Sequence, residues 1–133
     1  PTIFYGVPTL YSTLLASGEL PAREASNLRR CTSAGEALPP EVGRRWFEHF
    51  AVDILDGLGS TEMLHIFLSN RPDANRYGTS GKPVPGYDIR LLDEEGKPVA
   101  QGELGELHVN GPTSAAFLAS VSESLPSVAE TAV

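Results

Sequence analysis

The stretch Asp56-Gly57-Leu58-Gly59-Ser60-Thr61-Glu62 places two glycines, two hydroxyls and a carboxylate directly after the short apolar run Val52, Ile54 and Leu55. Those residue types suit a phosphate and metal site. The run reads as a β-strand, so the glycines are expected where the chain leaves a sheet, with bare backbone open to a ligand. Ser60 and Thr61 offer hydroxyls to phosphate oxygens, and Glu62 offers the hard oxygen that a bridging magnesium ion prefers. A capped strand-to-helix turn would use the same Gly, Ser and Thr, so the motif needs support from elsewhere in the chain.

Support comes from Ser33-Ala34-Gly35-Glu36-Ala37-Leu38-Pro39. Its Ser-x-x-Glu spacing could be a helix capping box, but Pro39 and Pro40 arrive too soon for a helix begun at Ser33. A loop of close approach is the better account. Two glycine-bearing loops at the ends of neighbouring parallel strands make one crevice, wide enough for a flat base and its phosphates. A third cluster, residues 77–86, lacks the Gly-Lys-Ser/Thr spacing of a P-loop and reads as a Gly/Pro turn entering a strand at Tyr87.

The elements that must hold these loops follow from periodicity. Residues 3–5 form a strand; Pro8 then suits a first helical turn, Leu10, Leu14 and Leu15 share a face, and Gly18 closes the helix. Residues 28–32 form a second strand. Pro39 and Pro40 open a helix whose Val42, Trp46 and Phe50 recur every four residues, with Arg44, Arg45, Glu48 and His49 mostly on the wet side. The strand before Asp56 follows. This order predicts an α/β fold in which a partial β-α-β-α-β parallel sheet places its ligands at the carboxyl ends of the strands. Beyond Glu62 the pattern changes to an antiparallel β meander: the apolar run 64–68, the alternation of Tyr87, Ile89 and Leu91, and that of Leu107 and Val109. His49 and His108 read as ordinary solvated positions.

With 133 residues and a net charge of −7, the chain lacks the basic surface that nucleic acid or an anionic membrane requires. Cys31 is the single cysteine, set in an apparent strand with no nearby His, so it reads as a buried structural thiol. No signal peptide, transit peptide or run of eighteen apolar residues is present, which makes a cytoplasmic location the expectation. From Phe117 onward the chain contains no Gly, Lys or Arg and follows neither helical nor strand period. Residues 117–133 are therefore expected to be a divergent, disordered tail.

The three clusters, in this order, resemble the adenylate-forming acyl-CoA synthetase superfamily of AMP-binding enzymes, with wording nearest to its benzoate-CoA ligase type. The matching text is Phe4-Tyr5-Gly6-Val7-Pro8-Thr9, residues 33–39, Gly59-Ser60-Thr61-Glu62-Met63-Leu64-His65, residues 78–86 and Gly102-Glu103-Leu104-Gly105-Glu106-Leu107. The resemblance covers nearly all of residues 1–116. It implies a two-step ligase, in which a carboxylic acid attacks the α-phosphate of ATP to give an acyl adenylate and pyrophosphate, and coenzyme A then displaces AMP. It also implies roles: Thr61 and Glu62 catalytic, Glu62 the Mg²⁺ ligand, and Gly35, Glu36, Ala37, Asp56, Gly57, Leu58, Gly59, Ser60 and Thr61 around the ATP/AMP. Ser33, Ala34, Gly59, His65 and Ile66 would form the acid's pocket, although a histidine beside an apolar run also suits a purely structural place.

In that family a Gly/Ser/Thr-rich phosphate loop lies upstream of the text matched at Pro1. The ribose-holding Asp, the hinge and the lysine-bearing mobile domain lie downstream. Residues 1–116 are therefore expected to be the central part of the large adenylation domain, an incomplete nucleotide site with negligible ligase turnover of its own. The expected partners are a small carboxylic acid, ATP and CoA; nothing sets an oligomeric state. A non-catalytic nucleotide-binding or interaction module would keep the fold without needing Thr61 and Glu62. A self-contained α/β hydrolase is disfavoured by the lack of a Gly-x-Ser-x-Gly elbow.

Overall fold

In a computed structural model describing residues 1–113, strand β1 (Ile3–Gly6) leads into helix α1 (Pro8–Ser17). Pro8 stands in the first turn, where its missing N–H has no intrahelical partner to lose, and Gly18 ends the helix in the left-handed conformation at φ 70°. Strand β2 (Arg30–Ser33), helix α2 (Pro40–Phe50) and strand β3 (Ile54–Ser60) complete the β-α-β-α-β order. β1 pairs with β2 and β2 with β3, both parallel, as the alternating order predicts. The tail residues 117–133 lie outside the described part.

Both helices pack on one face of these three strands. Tyr11, Cys31, Leu38, Trp46, Phe50 and Ile54 form the shared core. In α2 the predicted face is observed: Trp46 and Phe50 are buried, with Val42 packed beside them. In α1 the anchor differs from expectation. Leu10 is 40 % exposed, and Tyr11, fully buried, takes the place against the sheet. Its ring lies edge-on to Trp46 and its hydroxyl donates to the Thr32 carbonyl at 2.8 Å, so an aromatic body and a satisfied polar tip outcompete an aliphatic side chain. Cys31 is buried as expected, and burial pushes its thiol up from its ordinary pKa against the opposing pull of the Trp46 N–H.

The antiparallel part is divided between two sheets. β4 (His65–Ser69) runs back against β3 and is followed by β5 (Lys82–Pro83), giving a five-stranded mixed sheet in chain order. β6 (Asp88–Leu92) and β7 (Glu106–Asn110) form a separate hairpin. Met63, Phe67, Leu68, Leu107 and Val109 make a second core that joins this hairpin to the β3–β4 end of the large sheet.

One local expectation is overturned. Gly57, Leu58, Gly59 and Ser60 do not form a loop after the strand; β3 continues through all four, and the turn begins at Thr61. The reason is the close approach of β4. A Cβ at Gly57 would stand 2.8 Å from the Leu68 carbonyl oxygen, and one at Gly59 would stand 2.4 Å from that of His65. The glycines thus admit a neighbouring backbone, and the pairing register shifts between Leu58 and Gly59 to accommodate it.

Candidate functional site: a carboxylate and two loops at the strand ends

The carboxyl end of β2 lies beside the first half of β3, with Ser33 and Asp56 in register. From β2 the chain enters the loop 34–39, where Gly35 takes φ 92° and Gly35, Glu36 and Ala37 are exposed while Leu38 is buried. The loop is not helical, in keeping with the two prolines that follow it. Two contacts hold it. The Leu38 N–H donates to Asp56 Oδ2 at 3.3 Å, and Thr9 Oγ1, in the first turn of α1, donates to Glu36 Oε2 at 2.8 Å.

Asp56 is only 7 % exposed. Burial raises its pKa from 3.8 to about 6, against the pull of the Leu38 amide, the Ser33 hydroxyl and the Gly57 amide. A carboxyl so placed is a buried acceptor between β3 and the loop 34–39. Its own carbonyl accepts from the Asn70 N–H at 2.9 Å and from Asn70 Nδ2 at 3.2 Å. Asn70, itself 4 % exposed, also donates to the Thr79 carbonyl at 2.7 Å and accepts from the Arg76 N–H at 2.9 Å. It thereby ties the loop 70–81 to the strand that carries the site. Thr9 and Asn70 were not singled out from sequence; their partners lie 27 and 14 residues away, beyond any local pattern.

At the far end of β3, Thr61 and Glu62 are exposed in the four-residue turn to β4. Ser60 Oγ accepts from the Met63 N–H at 3.2 Å and Leu64 N–H donates to the Thr61 carbonyl at 3.1 Å, so the turn is internally bonded and presents both side chains outward. No cluster of three or more His, Cys, Asp or Glu forms among the described residues. One exposed carboxylate beside two hydroxyls suits an ion that takes most of its oxygens from phosphates and water, as magnesium does.

His65 and Ile66 occupy the first two positions of β4 and face opposite ways. The Ile66 side chain lies over Gly57 and Gly59. His65 pairs with Ser60 and stacks on Tyr87, with ring centroids 5.7 Å apart and planes 16° apart. Of the residues predicted for the site, the structure gathers Ser33, Ala34, Gly35, Glu36, Ala37 and Asp56 at one strand end. Gly57, Leu58 and Gly59 connect them to Ser60, Thr61 and Glu62 along β3. His49 instead bonds the Pro21 carbonyl at 2.9 Å, and His108 lies 3.4 Å from Glu106.

Comparison with known proteins assigns the chain to a family. The AMP-binding enzyme family matches residues 1–117. The chain belongs to that family. Among AMP-binding enzymes it is 63 % identical over 116 residues to a benzoate–CoA ligase of Thauera aromatica, covering 86 % of this chain and 22 % of that protein. It is 51 % identical over 121 residues to a 4-hydroxybenzoate–CoA/benzoate–CoA ligase of Rhodopseudomonas palustris, covering 87 % of this chain and 22 % of that one. The chain thus spans about a fifth of these relatives' length. A crystal structure of a benzoate CoA ligase from Burkholderia xenovorans LB400 superposes with a TM-score of 0.84 at 60 % identity, covering 89 % of this chain and 24 % of its own. The anthranilate CoA ligase AuaEII, solved in complex with anthranoyl-AMP, superposes at 0.79 with 47 % identity, over 86 % of this chain and 22 % of that one. No helix among the described residues is long and apolar enough to cross a membrane.

Proposed function

We propose that residues 1–116 are the central part of the adenylation domain of an ATP-dependent aromatic carboxylic acid–CoA ligase. The observation that carries this reading is the register of Ser33 with Asp56, which sets the loop 34–39 against the strand that leads into the turn bearing Thr61 and Glu62. An adenine lying across Gly35, Glu36 and Ala37 would direct its amino edge to the Asp56 carboxyl. Its phosphates would run along β3 toward Ser60 and Thr61. His65 and Ile66, at the start of β4, would meet the acid from the two faces of the strand end. The relatives named for benzoate, hydroxybenzoate and anthranilate support an aromatic acid.

The reaction joins two anions, so it depends on alignment and charge neutralisation. One carboxylate oxygen of the acid attacks the α-phosphorus, pyrophosphate leaves, and the CoA thiol later displaces AMP from the acyl carbon. Thr61 would hold a phosphate oxygen and Glu62 the metal. Bound magnesium would supply positive charge to the phosphate oxygens as the bond to pyrophosphate breaks. Orienting reactants lowers barriers by on the order of 7–11 kcal/mol only when the geometry is complete. Isolated residues 1–133 are therefore expected to give negligible benzoate-dependent pyrophosphate exchange, and robust exchange would refute that expectation.

Nucleotide titration of the ¹⁵N-labelled chain tests the site itself. Millimolar AMP should shift the amides of Gly35, Gly57 and Gly59. ATP should additionally shift Ser60 and Thr61 only with Mg²⁺ present, and Glu62→Gln should abolish that metal dependence while sparing the response of Gly35. Unmoved amides at every nucleotide concentration would favour an interaction module that has kept the fold.

A further inference from the structure

Tyr87 stands directly before β6, between the 85–86 turn and that strand. Its surroundings are built to hold the ring in one place. A Cβ on Gly111 would stand 2.2 Å from Tyr87 Cδ1 and 2.5 Å from Cε1, so the ring packs against the one residue type that leaves room for it. The phenol oxygen bonds Thr113 Oγ1 at 2.8 Å, and Phe67 closes one side with ring centroids 6.4 Å apart. The free face of the clamped ring carries His65, stacked at 16°. That imidazole has a second restraint, a contact between Nδ1 and the Ile66 carbonyl. A carbonyl can only accept, so Nδ1 is the donor in that contact. An exposed histidine ordinarily samples several rotamers, and this one is restrained by the Tyr87 ring and by the Ile66 carbonyl.

We propose that Tyr87, gripped by Gly111 and Thr113, is a positioning residue that sets the plane of His65 in the acid pocket, making the β6–β7 hairpin a determinant of acyl selectivity. This rests on the reading of His65 as a pocket wall. A binding side chain is effective when its rotamer is locked by the packing behind it, and here the lock comes from residues flanking the β6–β7 hairpin.

Two measurements on the full chain separate the clamp from the pocket. In the free protein, the carbon-bound His65 ring protons should show a ring-current displacement that Tyr87→Phe retains and Tyr87→Leu abolishes. Gly111→Ala, which pushes the ring away, should shift them in the same sense as Tyr87→Leu. Unchanged His65 resonances in Tyr87→Leu, with the fold intact by amide spectra, would overturn the proposal. The second measurement compares benzoyl-AMP with AMP. Tyr87→Leu should weaken benzoyl-AMP by about two- to tenfold, the range of one aromatic pair, leave AMP unchanged, and be rescued by Tyr87→Phe. Equal weakening of both ligands would refute a role in acyl selectivity. Failure of the unaltered chain to prefer benzoyl-AMP would instead refute the pocket reading, while the His65 resonances still decide the clamp.

Discussion

Asp56→Asn should stabilise the chain at neutral and alkaline pH, and the size of the effect can be worked from the site. The folded carboxyl titrates at about 6 and the unfolded one at 3.8, because burial disfavours its charge. Between those values the folded state holds a proton that the unfolded state has released, so this group's contribution to stability falls as pH rises. A displacement of roughly two units corresponds to ~3 kcal/mol, present in full below about pH 4 and lost above about pH 6. Asparagine keeps the shape and an oxygen for the Leu38 N–H but has no charge to bury. The difference between variant and parent should therefore grow from near zero at pH 4 to ~3 kcal/mol at pH 8. Urea unfolding followed by fluorescence of Trp46, the single tryptophan and 2 % exposed, reads it directly. Parallel stability–pH curves for the two proteins would refute the reasoning. Under the proposed function, in which the Asp56 carboxyl meets the adenine amino edge, the same variant should also bind AMP more weakly.

Two further substitutions test the framework. Asn70→Ala removes a buried side chain bonded to the carbonyls of Asp56 and Thr79, and should cost about 1–3 kcal/mol. Amide exchange should accelerate in residues 70–81 and not in α2; uniform acceleration would mean that Asn70 is no local tie. Gly59→Ala sets a methyl group against the His65 carbonyl oxygen, 2.4 Å away, and should cost about 1–3 kcal/mol as β3 and β4 part. A variant as stable as the parent in urea would show that the close approach is not what requires glycine there.

Much of the scaffold was legible because its signals are local. Pro8 and Gly18 bracket α1, and the four-residue recurrence of Val42, Trp46 and Phe50 reports the buried face of α2. In α1 the same approach found Leu14 and Leu15, which pack against the core, but missed Tyr11, since helical spacing alone cannot weigh Leu10 against a tyrosine whose hydroxyl finds the Thr32 carbonyl 21 residues away. The candidate site was legible in its residue types and less so in its geometry. Gly57 and Gly59 carried the right warning of a close approach, but the approaching group is the backbone of β4.

By itself, the order of residues determined the β-α-β-α-β core, the glycine-bearing loop 34–39 at the end of β2, and membership of the AMP-binding enzymes. These follow from periodicities and motifs that span a few residues each. Tertiary structure alone decided that β3 runs on through Ser60, that His65 and Ile66 face opposite ways, that Asn70 ties the 70–81 loop to Asp56, and that Tyr87 backs His65. The physical reason is that each of these depends on which backbone or ring arrives from a distant part of the chain, and a residue's neighbours in sequence do not specify its neighbours across a sheet.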